Sequence, residues 1–172
     1  MKLRFPESKI EHHAARYSYG RNESELLALR ESVQRAGHLT KLQLRLLAQW
    51  KSPRSAPHID RNSETFIQEV THFALHASDE RARIEALTLL SGVLWPTGSV
   101  VLHLFHADRY PIIDFRALWS VSSEVPIQYT FEFWLAYVKY CRSVAKRSGV
   151  SMRVLDRALW QYSSYNQPKN VA

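Results

Sequence analysis

Asp114 is the residue of this 172-residue chain whose type and position could most directly do chemistry. It stands immediately before an apolar helical run, residues 115–121. Asp is a favoured cap at such a position, where its carboxylate lies on the positive end of the helix dipole. A carboxylate held there can orient or deprotonate a water molecule, or stabilise a positive charge that develops in a transition state. The alternative is that Asp114 only caps the helix.

A second feature, residues 87–105, precedes Asp114 in the chain. An apolar run leads into Gly92, which can supply the positive φ of a helix C-cap. Pro96 lies just inside the next apolar run, where a missing N–H has no effect because first-turn donors are unpaired anyway. The pattern predicts a helix ending at residues 87–90, a tight turn at 91–95 and a second helix over 96–105. Such a turn would present backbone N–H groups to a phosphate.

These two features together resemble the helix-hairpin-helix DNA glycosylase superfamily. Residues 90–98, Leu-Ser-Gly-Val-Leu-Trp-Pro-Thr-Gly, fill the place of the family's hairpin. Residues 112–116, Ile-Ile-Asp-Phe-Arg, fill the place of its aspartate segment. Asp114 follows Pro96, which stands at the family's lysine position, by 18 residues, as the family pattern requires. The resemblance covers about a fifth of the chain.

The resemblance implies a DNA glycosylase. Such an enzyme binds double-stranded DNA and flips a damaged or modified base into a pocket. It then hydrolyses the N-glycosidic bond through an oxocarbenium-like transition state. Asp114 would be the catalytic carboxylate, because it stabilises that cation more than the ground state. No cofactor is implied. DNA repair is the implied role, and defence against phage DNA that carries modified bases is a second hypothesis.

Two residues of the hairpin depart from the family pattern. Pro96 replaces the lysine that forms a Schiff base and leads to strand nicking. We therefore expect a monofunctional enzyme that leaves an intact abasic site, unless a lysine from elsewhere, such as Lys51, takes part. Leu94 replaces a glycine and limits close approach of the backbone to DNA. Both departures favour the alternative, a non-catalytic DNA-binding or adaptor module that retains the fold. A third option is a helical interaction protein whose hairpin only packs.

Further residues are candidates for contact with DNA. The hairpin contributes Gly92, Leu94, Trp95, Thr97 and Gly98. Lys51 and Arg54 could hold phosphates, and Arg116 could bind a phosphate or hold a nearby carboxylate. Trp50 could stack on a flipped base, and Tyr137 could line a base pocket. In the alternative, Trp50 lies in the core beside two solvated cations. Tyr137 would then belong to the core face of a long helix.

The formal net charge is +7, and it is unevenly distributed. Residues 1–62 carry 12 Lys and Arg against 6 Asp and Glu, residues 63–114 carry 3 against 7, and residues 115–172 carry 8 against 3. A polyanionic partner would therefore be held by the two outer thirds. A basic but inert surface is the alternative.

Composition excludes several classes of protein. Hydrophobic residues make up 45% and charged residues 23%, which is ordinary for a globular protein. A single cysteine, Cys141, excludes an internal disulfide, a cysteine-rich zinc module and a four-cysteine iron–sulfur cluster. We find no apolar run of membrane-spanning length and no signal peptide. We expect a cytoplasmic monomer with no membrane partner. The histidine pairs His72/His76 and His103/His106 favour structural or surface roles over a metal site.

Helical spacing of apolar residues dominates, and no strand pair is evident. We therefore predict one all-α domain over residues 1–172. Capping and stop signals predict helices over residues 22–36, 40–51, 62–77, 78–90, 96–105, 115–121, 129–148 and 151–162. We expect a short helix or arm before Gly20, a polar loop up to Arg61 and a frayed tail from Ser163.

Overall fold

A computed structural model describes residues 1–19 and 23–168 of the chain, and over these residues it is all-helical, without a strand. The predicted fold class is therefore confirmed at the level of an all-α protein. None of the helices in this part of the chain has both the length and the apolar character needed to cross a membrane. The α-helices are α1 (Ile10–Ala14), α2 (Ser24–Ala28), α3 (Arg30–Ala36), α4 (Lys41–Lys51), α5 (Glu64–His76), α6 (Glu80–Leu87), α7 (Trp95–Phe105), α8 (Phe115–Ser120), α9 (Phe131–Ser148) and α10 (Met152–Asn166). Two short 3-10 helices, Glu7–Lys9 and Ala56–Arg61, accompany them.

Local capping signals confirm several predicted helix boundaries. Thr40 caps α4 in a capping box, in which Gln43 N–H donates to Thr40 Oγ1 and Thr40 N–H donates to Gln43 Oε1. Ser63 and Ser151 cap α5 and α10 through their side-chain oxygens. The predicted stops after α3 and α9 also occur, at glycines with positive φ.

Predicted elements differ from the structure in several places. The helix predicted over residues 22–36 is two helices separated at Leu29, and residue 22 itself lies outside the described residues. The polar loop before Arg61 contains the 3-10 helix Ala56–Arg61. The helix predicted over residues 78–90 is shorter, because it ends at Leu87 and is capped by Asp79, whose Oδ1 accepts from Ala82 N–H at 2.8 Å.

The C-terminal helix is longer than predicted. α10 continues to Asn166, and Ser163 is fully buried, so the tail does not fray from Ser163. Ser163 follows the buried residues Leu155 and Leu159 at helical spacing, and the burial of this face holds the last turn. Residues 169–172 of the predicted tail lie outside the described part of the chain.

The backbone clusters into two compact units. Unit 1 consists of Met1–Gly20 and Pro111–Ala172, and unit 2 consists of Arg21–Tyr110. In unit 1, α10 packs against α1, α8 and α9. In unit 2, α7 packs against α3, α4 and α6, and α5 packs against α4 and α6. The prediction of one domain stays a prediction.

The connection between α6 and α7 has the predicted order of a helix, a turn and a helix, but the turn covers residues 88–94 instead of 91–95, because α6 ends at Leu87 and α7 begins at Trp95. Gly92 has the predicted positive φ, +85°, but it is not the predicted helix C-cap, because Thr88 is the C-cap of α6 and Gly92 lies further on, in the turn. Pro96 lies in the first turn of α7. The buried Asn62 side chain fixes the turn, because Nδ2 donates to Ser91 O at 3.0 Å and Oδ1 accepts from Ser91 N–H at 2.9 Å. The correspondence of this connection to the family's hairpin stays a prediction.

Gly92 is expected to be a sensitive position of unit 2. A Cβ there would lie 2.8 Å from the backbone oxygen of Ser55, in addition to the strain of a positive φ. We expect Gly92→Ala to lower the free energy of unfolding by about 2 kcal/mol. Gly149→Ala is the matched control, because it also has a positive φ but no atom within 4 Å of the new Cβ. It should lose only about 1 kcal/mol. Urea denaturation measures both, and equal losses would contradict the predicted clash.

Candidate functional site

Asp114 is placed where the sequence predicts it, at the N-cap of α8. Its backbone is extended, with φ −158° and ψ 174°, and Oδ1 accepts from Ala117 N–H at 2.9 Å. The side chain is half-buried. The carboxylate therefore has a fixed orientation and lies partly shielded from water, which strengthens its electrostatic effect. The capping role is confirmed, and it is compatible with a catalytic role.

The segment before Asp114 is fixed by hydrogen bonds to both backbone polar groups of Ile112. Ile112 N–H donates to Asp156 Oδ1 at 3.1 Å, and Ile112 O accepts from the Tyr137 hydroxyl at 3.0 Å. Asp156 comes from α10 and Tyr137 from α9. Ile112 and Ile113 are buried. These contacts fix the backbone two residues before the candidate carboxylate.

Asp156 is itself held by a basic partner. Its Oδ2 accepts from Arg153 Nη1 at 3.1 Å, and Asp156 is only 6% exposed. In addition, Ser120 Oγ donates to Leu159 O at 2.6 Å and joins the end of α8 to α10. Both ends of the segment that carries Asp114 are thus tied to α10.

The Asp114 carboxylate contributes to the raised pKa values of two tyrosines. Burial, and secondarily the Asp114 carboxylate, raise the pKa of Tyr129. Burial raises the pKa of Tyr137 well above its usual value, and Asp156 and Asp114 contribute to the same shift. Both phenols therefore stay neutral near pH 7, so neither adds a negative charge near Asp114.

Arg116 is the second residue of α8 and makes two cation–π contacts. Its guanidinium lies 5.1 Å from the Phe115 ring centroid and 5.2 Å from the Trp160 ring centroid. Phe115 is 52% exposed. The structure therefore places Arg116 at a half-exposed aromatic surface of unit 1, beside the helix end that carries Asp114.

The predicted DNA contacts of the hairpin divide into exposed and buried residues. Leu94 is 69% exposed, and Gly92 and Trp95 are partly exposed. Thr97 and Gly98, by contrast, are buried. A Cβ on Gly98 would lie 3.2 Å from Ile84 Cδ1 of α6, so this residue permits close helix packing. Thr97 and Gly98 are therefore core residues and cannot touch DNA in this conformation.

The remaining candidates lie in two places. Trp50 is 8% exposed within unit 2, which favours the alternative of a core residue over stacking on a base. Lys51 is the last residue of α4 and is partly exposed. Arg54 follows α4 and is exposed. Tyr137 is fully buried in unit 1, where it holds Ile112, so it is a positioning residue and not the wall of an open pocket.

The division into units also decides how the candidates are grouped. Unit 1 brings together Asp114, Arg116 and Tyr137, whereas unit 2 contains Trp50, Lys51, Arg54 and the hairpin. Unit 1 carries 12 Lys and Arg against 6 Asp and Glu, whereas unit 2 carries 11 against 10. The excess positive charge thus belongs almost entirely to unit 1. The basic residues of 21–62 lie in unit 2, where the acidic residues of 63–110 offset their charge.

The predicted structural roles of the histidines agree with the contacts they make. His103 Nδ1 lies 2.6 Å from Tyr110 O, and His106 Nδ1 accepts from Asp108 N–H at 2.8 Å. The rings of His72 and His76 stack with centroids 4.2 Å apart. Within residues 1–19 and 23–168, no group of three or more His, Cys, Asp or Glu side chains is placed to hold a metal ion.

Sequence reasoning missed Asp156 and Tyr129. Asp156 had a readable signal, because it lies on the apolar face of α10 beside Leu155 and Leu159, where an unpaired carboxylate would be costly. Tyr129 had no readable signal, because its position near Asp114 depends on the conformation of the loop between α8 and α9.

The fold and the site define an all-α protein with a fixed, half-buried carboxylate at a helix end. Comparison with models of known protein families found no match, and neither did searches of curated proteins and of solved structures.

Proposed function

We propose that this chain is a monofunctional DNA glycosylase in which Asp114 is the catalytic carboxylate. The observation that carries the proposal is the placement of Asp114. Its side chain is oriented by Ala117 N–H, and the preceding backbone is fixed by Asp156 and Tyr137. A carboxylate fixed before the reaction starts stabilises a developing cation without reorganisation.

The proposed reaction is hydrolysis of the bond between C1′ of the sugar and the base. The base leaves with the bonding electrons, and the sugar becomes oxocarbenium-like. The Asp114 carboxylate stabilises this cation and takes a proton from the attacking water, whose oxygen forms the new bond to C1′. The departing base takes up the proton that Asp114 received, so the carboxylate is regenerated and the products are the neutral free base and an abasic site. The net positive charge of unit 1 supports DNA as the substrate.

The test is an excision screen. Wild-type protein and Asp114→Asn are incubated with duplexes and phage genomic DNAs that carry different damaged and modified bases. Alkali-labile sites are then counted. Sites made by the wild type and not by the variant would support the proposal and identify the substrate class. Excision from modified phage DNA alone would favour a role in defence over one in repair. Tight DNA binding without any excision would contradict the proposal.

The absence of a lysine at the hairpin leads to a separate prediction. We expect no strand nicking without alkali, and no covalent protein–DNA adduct when borohydride is added during the reaction, because Pro96 has no amine. Gel electrophoresis with and without borohydride measures both. An adduct that disappears in Lys51→Gln would show that Lys51 supplies the amine and that the enzyme is bifunctional.

The second candidate function is a non-catalytic DNA-binding module. It is favoured by the burial of Thr97 and Gly98 and by the hydrogen bond that Ser91 N–H already donates to Asn62 Oδ1. Fewer backbone donors then remain for a phosphate. If this candidate is correct, Asp114→Asn and the wild type will bind DNA equally, with a steep dependence on salt, and neither will release a base.

A further inference from the structure

A cluster of arginines and aromatic rings covers part of the surface of unit 1. We call it the arginine–aromatic cluster, and its members come from the segment after α1, from α8 and from α10. They are Tyr17, Tyr19, Arg116, Arg153, Arg157 and Trp160. All six residues are partly exposed, but Nε and Nη2 of Arg153 are buried.

The rings of the cluster lie close together. The Trp160 ring centroid is 5.4 Å from that of Tyr17 and 5.2 Å from that of Tyr19, both edge-on. Tyr17 and Tyr19 stack with centroids 6.2 Å apart and an interplanar angle of 21°. Burial raises the pKa of Tyr17, so its phenol stays neutral and does not repel an anion.

Guanidinium groups lie over these rings. Arg157 and Arg153 lie 5.4 Å and 5.7 Å from the Tyr17 centroid, and Arg116 lies over Trp160. Asp156, a carboxylate that contacts this cluster, is buried and is bonded to Arg153 and to Ile112 N–H. The three arginines of the cluster belong to unit 1, which carries 12 Lys and Arg against 6 Asp and Glu.

The cluster is anchored on α10. Ser18 N–H and the Ser18 hydroxyl both donate to Gln161 Oε1, at 2.9 and 3.3 Å, and Gln161 is fully buried. Because Ser18 lies between Tyr17 and Tyr19, this contact fixes both rings next to Trp160. The rings therefore form a surface that is in place before any ligand arrives.

We propose that the arginine–aromatic cluster binds single-stranded DNA, with unpaired bases stacking on its rings and phosphates contacting Arg116 and Arg157. Aromatic rings beside cations are the combination that binds such strands, because every base has a π-face and every nucleotide carries a phosphate. The contact of an exposed guanidinium with a ring is weaker than the stacking of a base on that ring. Arg116 can therefore move from Trp160 to a phosphate while a base takes its place. This inference does not depend on the excision of a base.

The test compares two strands that differ only in their bases. Fluorescence anisotropy measures the binding of a labelled dT12 oligonucleotide and of a twelve-unit abasic strand with the same phosphates. We expect the wild type to bind dT12 roughly 10-fold tighter than the abasic strand. Trp160→Leu should bind both strands with the weaker affinity, whereas Trp160→Phe should retain most of the preference for dT12. Equal binding of both strands by the wild type would overturn the proposal, and this outcome needs no variant to fold.

Matched controls separate the cluster from the general charge and aromatic content of unit 1. Arg157→Gln should lower the salt slope of dT12 binding by about 0.7, the value for one phosphate contact with a single strand. Lys146→Gln removes an exposed cation of α9 and should leave the slope unchanged. Trp119→Leu removes an indole that packs on Tyr162 and Arg4, and it should bind as the wild type does. Equal effects of Arg157→Gln and Lys146→Gln would overturn the proposal.

Two further outcomes distinguish this inference from the proposed function. Asp114→Asn should bind dT12 like the wild type, because Asp114 is not part of the cluster. If no base is excised but binding still depends on Trp160, the glycosylase proposal fails and this inference stands. Binding of an rU12 strand without binding of dT12 would overturn the assignment to DNA.

Discussion

Asp114→Asn is expected to excise bases at least about 100-fold more slowly than the wild type, as is typical when a group that stabilises transition-state charge is removed. The amide has no negative charge to stabilise the oxocarbenium-like sugar and takes no proton from water. Its oxygen can still accept from Ala117 N–H, because Asn caps helices about as well as Asp does. Only the interaction of the charge with the helix dipole is lost, which amounts to about 0.3–1 kcal/mol. Single-turnover excision and thermal unfolding measure the two effects.

Asp79→Asn provides a matched control for this variant. Asp79 also caps a helix, and its Oδ1 accepts from Ala82 N–H with nearly the same geometry, but it belongs to unit 2. The two variants should change stability by similar amounts, and only Asp114→Asn should lose excision. A variant Asp114→Asn that excises at the wild-type rate would show that Asp114 is a cap and nothing more.

The sequence predicts the parts of this fold that depend on neighbours in the chain. The caps at Thr40, Ser151 and Asp114 each involve a side chain and a backbone N–H three residues away, so residue type and spacing are sufficient evidence. The positive φ of Gly92 and Gly149 is predictable for the same reason. The sequence alone therefore predicts that the Asp114 carboxylate caps a helix.

The contacts that position Asp114 could not be predicted in this way. Ile112 and Asp156 are 44 residues apart, and Ile112 and Tyr137 are 25 apart. No local pattern specifies such pairs, because they depend on how α9 and α10 pack around the segment. The sequence does show that Asp156 interrupts an apolar face, which predicts a paired carboxylate but not its partner.

The hairpin candidates show a different kind of error. Their position near the turn predicts that Thr97 and Gly98 approach a phosphate, but both residues are buried. The sequence of α7 contained the contrary signal, because Val100–Phe105 has one polar residue, His103, and therefore no wide solvent face. A helix that is apolar nearly all round is a core helix, and Gly98 serves its packing against Ile84.

The positioning of Asp114 by Asp156 leads to the second large effect. Asp156→Ala is expected to lower the free energy of unfolding by about 3 kcal/mol, because it removes one partner of a buried ion pair and the acceptor of Ile112 N–H. It should also slow excision, since the backbone two residues before Asp114 loses its fixed contact. Asp156→Asn retains an oxygen for Ile112 N–H and should lose only about 1–2 kcal/mol. Urea denaturation and single-turnover excision measure these effects.

An exposed ion pair supplies the control for Asp156. Asp60 lies 3.6 Å from Arg45, and both side chains are about half exposed, so the pair is screened by solvent. Asp60→Ala should lose no more than about 0.5 kcal/mol and should leave excision unchanged. If Asp156→Ala cost no more stability than Asp60→Ala, the contact with Ile112 would not hold the segment. If Asp156→Asn excised as slowly as Asp156→Ala while remaining more stable, the charge of Asp156 would matter to excision and its contact with the backbone would not. Recovery of excision in Asp156→Asn is the expected result, because a fixed Ile112 is what keeps the Asp114 carboxylate in place.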